Sequence, residues 1–318
     1  MKDDKYNSNK NSKKVINKKP KVLVILGPTG VGKSSLSIDL AMKFNGDIIS
    51  ADSVQIFKEF DIGSAKILPQ EMMGVKHYGI DIISPNQEFS VFDYVEYTKK
   101  SINEIVNKNK LPIIVGGTGL YIKALINNYN FGEANKNEEF RQNLEKEISE
   151  KGLEFAYQKL KNLDEDLALK TDRYNKVRVI RALEIKLFGT NQSNSESDFD
   201  FKIFALTKNR EVLYRNINAR VDEMIQKGLI REVQTLLAKY GDCQPMKAIG
   251  YKETADYLNG KISKEEMVNL IKQHSRNYAK RQLTYLRGMK EEVVYVDCDD
   301  RNNALGEITK EIEQWLKM

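Results

Sequence analysis

Short apolar runs, rich in β-branched residues and closed by glycine or a charge, alternate along the chain with longer stretches of helical period. KVLVILG (21–27) is a continuous apolar run ending in glycine, the pattern of a strand buried on both faces that feeds a turn. From Lys33 the period changes: Leu36, Leu40 and Phe44 fall at i, i+4 and i+8, one face of a helix. GDIIS (46–50), YGIDII (78–83), LPIIVGG (111–117), FKIFALT (201–207) and EVVYVD (292–297) are further strand candidates. FDYVEYTKKSINEIVNKNK (92–110) reads as a helix, as do a span from about Arg210 to Lys227, LIREVQTLLAKY (229–240), and a span from about Ser263 to Lys290. Strands alternating with helices predict a parallel sheet covered on both faces, an α/β core of the P-loop NTPase-like kind.

The alternation breaks after Ala124. Residues 131 to about 195 are polar, with helical stretches such as NEEFRQNLEKEISEKGLEFAYQKL, and end in the loop GTNQSNSESDFD. The expected organisation is a catalytic core of residues 21–130 and 200–318, interrupted by a mostly helical insertion at 131–199. Residues 1–20 read as a solvated basic tail, because their Asn and Lys bias leaves nothing to bury. No repeat of fixed period is evident.

Charge and cysteine content narrow the function classes. A surplus of 51 Lys and Arg over 45 Asp and Glu permits a nucleic-acid partner without requiring one. Cys243 and Cys298 lie far apart, and His77 and His274 are the only histidines, which argues against a zinc site and excludes a disulfide framework. With no signal-like leader and no run near the roughly 20 apolar residues of a membrane span, a cytoplasmic protein is expected.

Gly27, Pro28, Thr29, Gly30, Val31, Gly32, Lys33 and Ser34 satisfy G-x-x-x-x-G-K-[ST] between a strand and a helix. The glycines let backbone N–H groups converge on an anion at a helix N-terminus, Lys33 adds a point charge, and the Ser34 hydroxyl suits Mg²⁺, directly or through water. A nucleotide hydrolase would place an acidic residue at the end of a second apolar strand. LPIIV instead ends in Gly116, Gly117 and Thr118, and the carboxylate beside the loop is Asp52, a magnesium ligand or a general base. On the helix from Arg210, Leu213, Ile217, Val221 and Met224 share one face. Arg220 lies about 20° from Leu213 on that face, where a guanidinium needs an anion: a structural partner or a phosphate.

GPTGVGKS, IISADSVQIFKEFDIGSAK, LPIIVGGTGLYIKAL, VRVIRALEI, LYRNINARVDEMIQKGLIREV, AIGYKE and YAKRQLTYLR, in this order, resemble the tRNA isopentenyltransferases, also called tRNA dimethylallyltransferases. The likeness runs from about Lys21 to Arg287. It implies transfer of a dimethylallyl group from dimethylallyl diphosphate to the exocyclic amine of the adenosine 3′ to the anticodon, with Mg²⁺ as cofactor and tRNA as partner. On that resemblance the loop holds the donor diphosphate, Asp52 is the general base, Arg220 stabilises the leaving group, and Thr118 lies near the accepted base, as a catalytic residue or a helix N-cap. A target in an anticodon loop must leave its stack to be reached.

The resemblance further assigns to tRNA Asp52, Ser53, Val54 and Gln55; Thr118; Arg141 in the insertion; Val177, Arg178, Val179, Ile180 and Arg181; and Lys247, Ala248, Ile249, Gly250, Tyr251 and Lys252. It adds Lys280, Arg281, Gln282, Leu283, Thr284, Tyr285, Leu286 and Arg287. By spacing, Arg276, Lys280 and Arg287 share a helical face, a phosphate-tracking stripe or a solvated one. The family commonly enters the RALE helix through a His-Pro-Asn-Asp-like sequence, where this chain reads TDRYNK, and lacking the cysteines of a zinc finger it is expected to be of bacterial type and monomeric. Two rivals remain: an adenylate isopentenyltransferase acting on free nucleotide, and an RNA-binding P-loop NTPase.

Overall fold

A computed structural model describes residues 18–129, 137–189, 197–289 and 291–318. Strand β1 (Lys21–Leu26) turns through the glycine loop into α1 (Lys33–Lys43), followed by β2 (Gly46–Ala51), β3 (His77–Tyr78), α2 (Val91–Asn107), β4 (Leu111–Gly116) and α3 (Gly119–Ile126). Helices α4 (Glu138–Lys151), α5 (Leu153–Leu163), α6 (Glu165–Lys170) and α7 (Lys176–Phe188) precede β5 (Asp200–Thr207). The chain closes with α8 (Arg210–Gln226), α9 (Leu229–Tyr240), α10 (Tyr251–Leu258), α11 (Lys264–Arg287), β6 (Val293–Asp297) and α12 (Arg301–Lys317).

All strand pairs are parallel, in the order β3-β2-β4-β1-β5-β6. β1 is flanked by β4 and β5 and has helices packed on both faces, which explains why Val22 to Leu26 are apolar without interruption. Leu23 and Ile25 point into one layer, with Leu36 and Leu40 of α1, Leu213 and Ile217 of α8, and Ile308 and Ile312 of α12. Val22, Val24 and Leu26 point into the other, with Tyr94 and Ile102 of α2 and Ile122 and Leu125 of α3. Each such side chain, fully buried, contributes about 1.5–3 kcal/mol. Helix α2 begins where Ser90 accepts from the Asp93 amide at 3.2 Å and the Asp93 carboxylate accepts from the Ser90 amide at 2.8 Å, a reciprocal cap.

The expected strand YGIDII is corrected. Only His77–Tyr78 pairs with β2, because Gly79 and Asp81 take φ values of 76° and 55° and turn the chain away. Ile82 and Ile83 instead pack into a third apolar cluster, built around α8, α9, α10 and α11, which roofs one end of the sheet. Helices α4 to α7 enclose a fourth cluster of their own, including Leu144, Leu160, Val179 and Leu183. Within it the Glu184 carboxylate is fully buried and bonded by Arg141 at 2.9 and 2.7 Å, Arg181 at 2.5 Å and the Asn137 amide at 2.9 Å. Burial works to raise its pKa, but these donors hold it down at about 2. Of the expected tail, residues 1–17 lie outside the described residues, as do 130–136 and 190–196 at the two ends of the expected insertion.

Candidate active site

The strand order reverses around β1, and the loops at the carboxyl ends of β1, β2 and β4 meet there, the usual place for a site in an open α/β sheet. The turn after β1 runs through Gly30 and Gly32, at φ 80° and 104°, a left-handed conformation that glycine adopts without steric cost. Helix α8 holds this turn from outside: Asn216 Nδ2 donates to Gly30 O at 3.2 Å and Arg220 Nη1 to Thr29 Oγ1 at 3.1 Å. Arg220 makes no ion pair among the described residues, its one hydrogen bond there being to this hydroxyl. Burial lowers its pKa, opposed by the charge of Asp52.

Lys33 is folded back, its Nζ donating to Gly27 O at 2.8 Å and Pro28 O at 2.9 Å. Burial first, and the nearby Arg220 second, lower its pKa from 10.5 to about 7, with Asp52 acting in the other direction. Two N–H donors satisfy two carbonyls, which a neutral amine can do. Ser34 is exposed at the start of α1, and no hydrogen bond engages its hydroxyl within the described structure.

Beside the turn, the strand-end residue Asp52 accepts from the amides of Val54 at 2.8 Å and Gln55 at 3.3 Å through one carboxylate oxygen, Oδ1. Asp52 faces a cavity of about 400 Å³ and is the one carboxylate among its lining residues. Lys33, Arg220, Lys247 and Arg281 supply the cationic lining, while Ile48, Ile67, Ile80, Val115, Ile217 and Val221 supply apolar walls. His77 joins them, its Nδ1 bonded to Val75 O at 2.9 Å and its pKa lowered by burial, which leaves Nε2 as an acceptor.

One wall belongs to α11. Ile271, Ser275, Tyr278 and Gln282, at i, i+4, i+7 and i+11, line the cavity as a single helical face. Gln282 is buried, and its amide joins two loops: Oε1 accepts from the Thr29 amide at 2.9 Å, and Nε2 donates to Gly117 O at 3.0 Å. The approach is so close that a Cβ on Gly117 would meet Gln282 Nε2 at 2.0 Å and one on Gly119 the Tyr285 ring at 2.2 Å. Those two glycines are therefore set by the passage of α11.

The opposite rim is the loop from Asp61 to Ser64 with the segment from Lys247 to Gly250. Glu232 accepts from the amides of Ile62 at 2.7 Å and Gly63 at 3.1 Å, and from the Tyr251 hydroxyl at 2.8 Å. Glu253 accepts from the Gly250 amide at 2.7 Å and pairs with His274 Nδ1 at 2.6 Å, tying this rim to α11.

The fold thus brings Thr29, Lys33, Ser34, Asp52, Ser53, Val54, Gln55, Arg220, Lys247, Ala248, Ile249, Gly250, Arg281 and Gln282 around one cavity. Gly27, Pro28 and Val31 are buried in the turn that shapes it. Thr118 is not among the lining residues, and although it stands at the N-cap of α3 its side chain caps nothing. Tyr251 and Leu286 are buried, Lys252, Lys280, Thr284 and Arg287 are exposed, and Leu283 and Tyr285 are intermediate. Arg276 does not join an outward stripe, since its guanidinium turns to Asn218 Oδ1 at 2.7 Å. In the insertion Val179 and Ile180 are buried, Arg141 and Arg181 are bound to Glu184, and Val177 and Arg178 are exposed. Tyr278, Ser275, Glu232 and Glu253 escape sequence reasoning. The available signal was polar residues recurring on an otherwise apolar helical face, as in α11.

Residues 55–289 match the model of the family described as IPP transferase. A tRNA dimethylallyltransferase of Clostridioides difficile (strain 630) is 44% identical over 308 residues, covering 94% of this chain and 98% of that protein. One from Oceanobacillus iheyensis is 46% identical over 277 residues, covering 85% and 88%. Among solved structures, the tRNA isopentenylpyrophosphate transferase of Bacillus halodurans superposes with a TM-score of 0.73 at 41% identity, covering 94% and 97%. A eukaryotic dimethylallyltransferase acting on tRNA gives 0.78 at 29%, covering 89% and 75%. A P-loop-like α/β enzyme with one carboxylate set among cations is the class that fold and cavity define. Within it, this chain belongs to the IPP transferase family.

Proposed function

We propose that this protein transfers a dimethylallyl group from dimethylallyl diphosphate to the exocyclic amine of the adenosine 3′ to the anticodon of tRNA, releasing diphosphate. The observation that carries the reading is the single cavity in which one carboxylate, Asp52, stands between an anion-binding turn and apolar walls. The cations at its turn, Lys33 and Arg220, are hydrogen-bonded only to uncharged oxygens among the described residues. The names of its relatives support the same reaction.

In this reading the diphosphate sits on the turn amides, displacing Lys33 from the Gly27 and Pro28 carbonyls and engaging Arg220, while the five-carbon chain lies against the apolar lining. The adenine amine is a weak nucleophile because its lone pair is delocalised, so Asp52 accepts a proton as the new bond forms. Negative charge grows on the departing diphosphate, and the turn amides, Lys33 and Arg220 are already aimed at it.

A divalent ion also fits. Ser34 offers an unengaged hydroxyl at the turn, and no group of three or more His, Cys, Asp or Glu side chains among the described residues makes a closed cage. This suits Mg²⁺, which keeps several waters and is held by one or two protein ligands plus phosphate oxygens. When bound it would neutralise charge on the diphosphate.

For tRNA, the exposed cations Lys280, Arg281 and Arg287 on α11 and Lys247 and Lys252 on the rim would track phosphates. Arg178 and Val177, exposed on α7 of the insertion, would meet the tRNA as well. No helix is long and apolar enough to cross a membrane among the described residues.

Labelled dimethylallyl diphosphate, unmodified tRNA and free AMP, with ATP and GTP as controls, test the proposal. RNA-dependent transfer of label is expected. Transfer to AMP alone would make it an adenylate enzyme, and nucleotide turnover without transfer would make it an NTPase.

A further inference from the structure

Gln282 belongs to the stretch of α11 that the resemblance assigns to tRNA, yet its side chain is 7% exposed and both ends of its amide are engaged inside the protein. The two bonds fix which way the amide points. Thr29 offers an N–H and Gly117 a carbonyl, so a flipped amide would set donor against donor and oxygen against oxygen. Each bond opens a chain of contacts toward the reacting groups. On one side Oε1 holds the Thr29 amide at 2.9 Å, and the Thr29 hydroxyl accepts from Arg220 Nη1 at 3.1 Å. On the other, Nε2 holds Gly117 O at 3.0 Å. Gly117 stands between Gly116, which pairs with Ala51 in the sheet, and Thr118, whose amide donates to Ala51 O at 3.2 Å. The residue after Ala51 is Asp52. The crossing has no slack, since a Cβ on Gly116 would overlap the Ala51 carbonyl and one on Gly117 the Gln282 amide.

We propose that Gln282 is a positioning residue for the transfer, not a residue that reads tRNA: it spaces the Thr29–Arg220 side of the cavity against the Ala51–Asp52 side. The inference rests on the amine transfer proposed above. As the N–C bond forms, the allylic C–O bond breaks, its electron pair leaves with the diphosphate, and one amine proton passes to Asp52. Gln282 exchanges nothing in that step. It sets the separation of the two loops, and an error there acts on the reacting geometry of bound substrates before it acts on how tightly either is held.

The test compares wild type, Gln282→Glu, Gln282→Asn and Gln282→Met in the full chain, by single-turnover transfer at saturating tRNA and donor, with tRNA Kd and Tm measured for each. Gln282→Glu keeps the length and the acceptor for Thr29 but loses the donor to Gly117. Gln282→Asn keeps both groups on a stem one methylene too short to span the two loops, and Gln282→Met removes the amide. Each should slow the saturated rate by roughly 10- to 100-fold below its own Tm while tRNA Kd stays within about twofold. Should Gln282→Met fail to fold, the near-isosteric Gln282→Glu carries the same test. A raised tRNA Kd with the wild-type rate restored at saturation would make Gln282 a tRNA contact and overturn the proposal. A lowered Tm with a wild-type rate in the folded variant would make the amide a structural tie only, and overturn it too. Both outcomes leave the parent reaction standing, whereas a wild-type enzyme unable to modify tRNA overturns that reaction and this inference with it.

Discussion

Two buried clusters of charge in this protein follow opposite rules. In the insertion, Glu184 is surrounded: two arginines and a backbone amide occupy its oxygens, and its pKa falls to about 2. In the cavity, Lys33 leans on two carbonyls, Arg220 on one hydroxyl, and Asp52 engages one oxygen only. A completed cluster holds helices together. An incomplete one stores unmet electrostatic demand that an incoming anion and amine can satisfy, which is why the cavity shifts Lys33 and Arg220 downward while the insertion stabilises its charge.

The contrast can be broken by substitution. The largest effect is expected at Asp52→Ala, which should slow single-turnover transfer by roughly 10²–10⁴-fold while leaving tRNA affinity within about twofold. Equal losses in both would remove the base role. Glu184→Ala strands two arginines and should destabilise the protein by about 3 kcal/mol in urea melts, without changing the chemical step at temperatures where the variant is folded. Because Glu184 is depressed from 4.5 to about 2, the stability it contributes is present above pH 4.5 and is lost as pH falls toward 2, a window that Glu184→Gln should erase.

Arg220→Ala should raise the donor concentration needed for half-maximal rate by roughly ten- to a hundredfold, since a charge-assisted bond to phosphate contributes about 1.5–3 kcal/mol. Lys33, at about 7 before the donor arrives, should take up a proton when diphosphate restores its charge. Its share of donor affinity is therefore fullest below pH 7 and falls as pH rises above it. Calorimetry in buffers of different ionisation enthalpy reads that uptake, and Lys33→Met should abolish it. The smallest effect is at Lys280→Ala, which should weaken tRNA binding a few-fold and reduce the salt slope by about one contact; an unchanged slope would mark Lys280 as merely solvated.

What could be read from the sequence was whatever the chain writes locally. The turn from Gly27 to Ser34, the strand-end Asp52 and the inward Arg220 each follow from a spacing within a few residues, and the structure brings them to one cavity. The parallel sheet was legible for the same reason, because strands covered on both faces must be continuously apolar. YGIDII misled because its apolar residues serve a turn and the roof cluster. Tyr278 was illegible as a cavity residue, and Gln282, which the resemblance assigned to tRNA, was illegible as a clamp between loops because its partners, Gly117 and Thr29, are distant in sequence, and only the crossing of α11 joins them. Glu184 was hidden likewise: Arg181 lies one helical turn away, but Arg141 comes from another helix.

The Gln282 amide has a mechanical consequence. By gripping the turn after β1 with its oxygen and the end of β4 with its nitrogen, it serves as a gauge block of fixed length between the two places where, in the proposed reaction, a leaving group would depart and a nucleophile would arrive. On that proposal the stroke of the reaction is machined into the fold before either substrate docks.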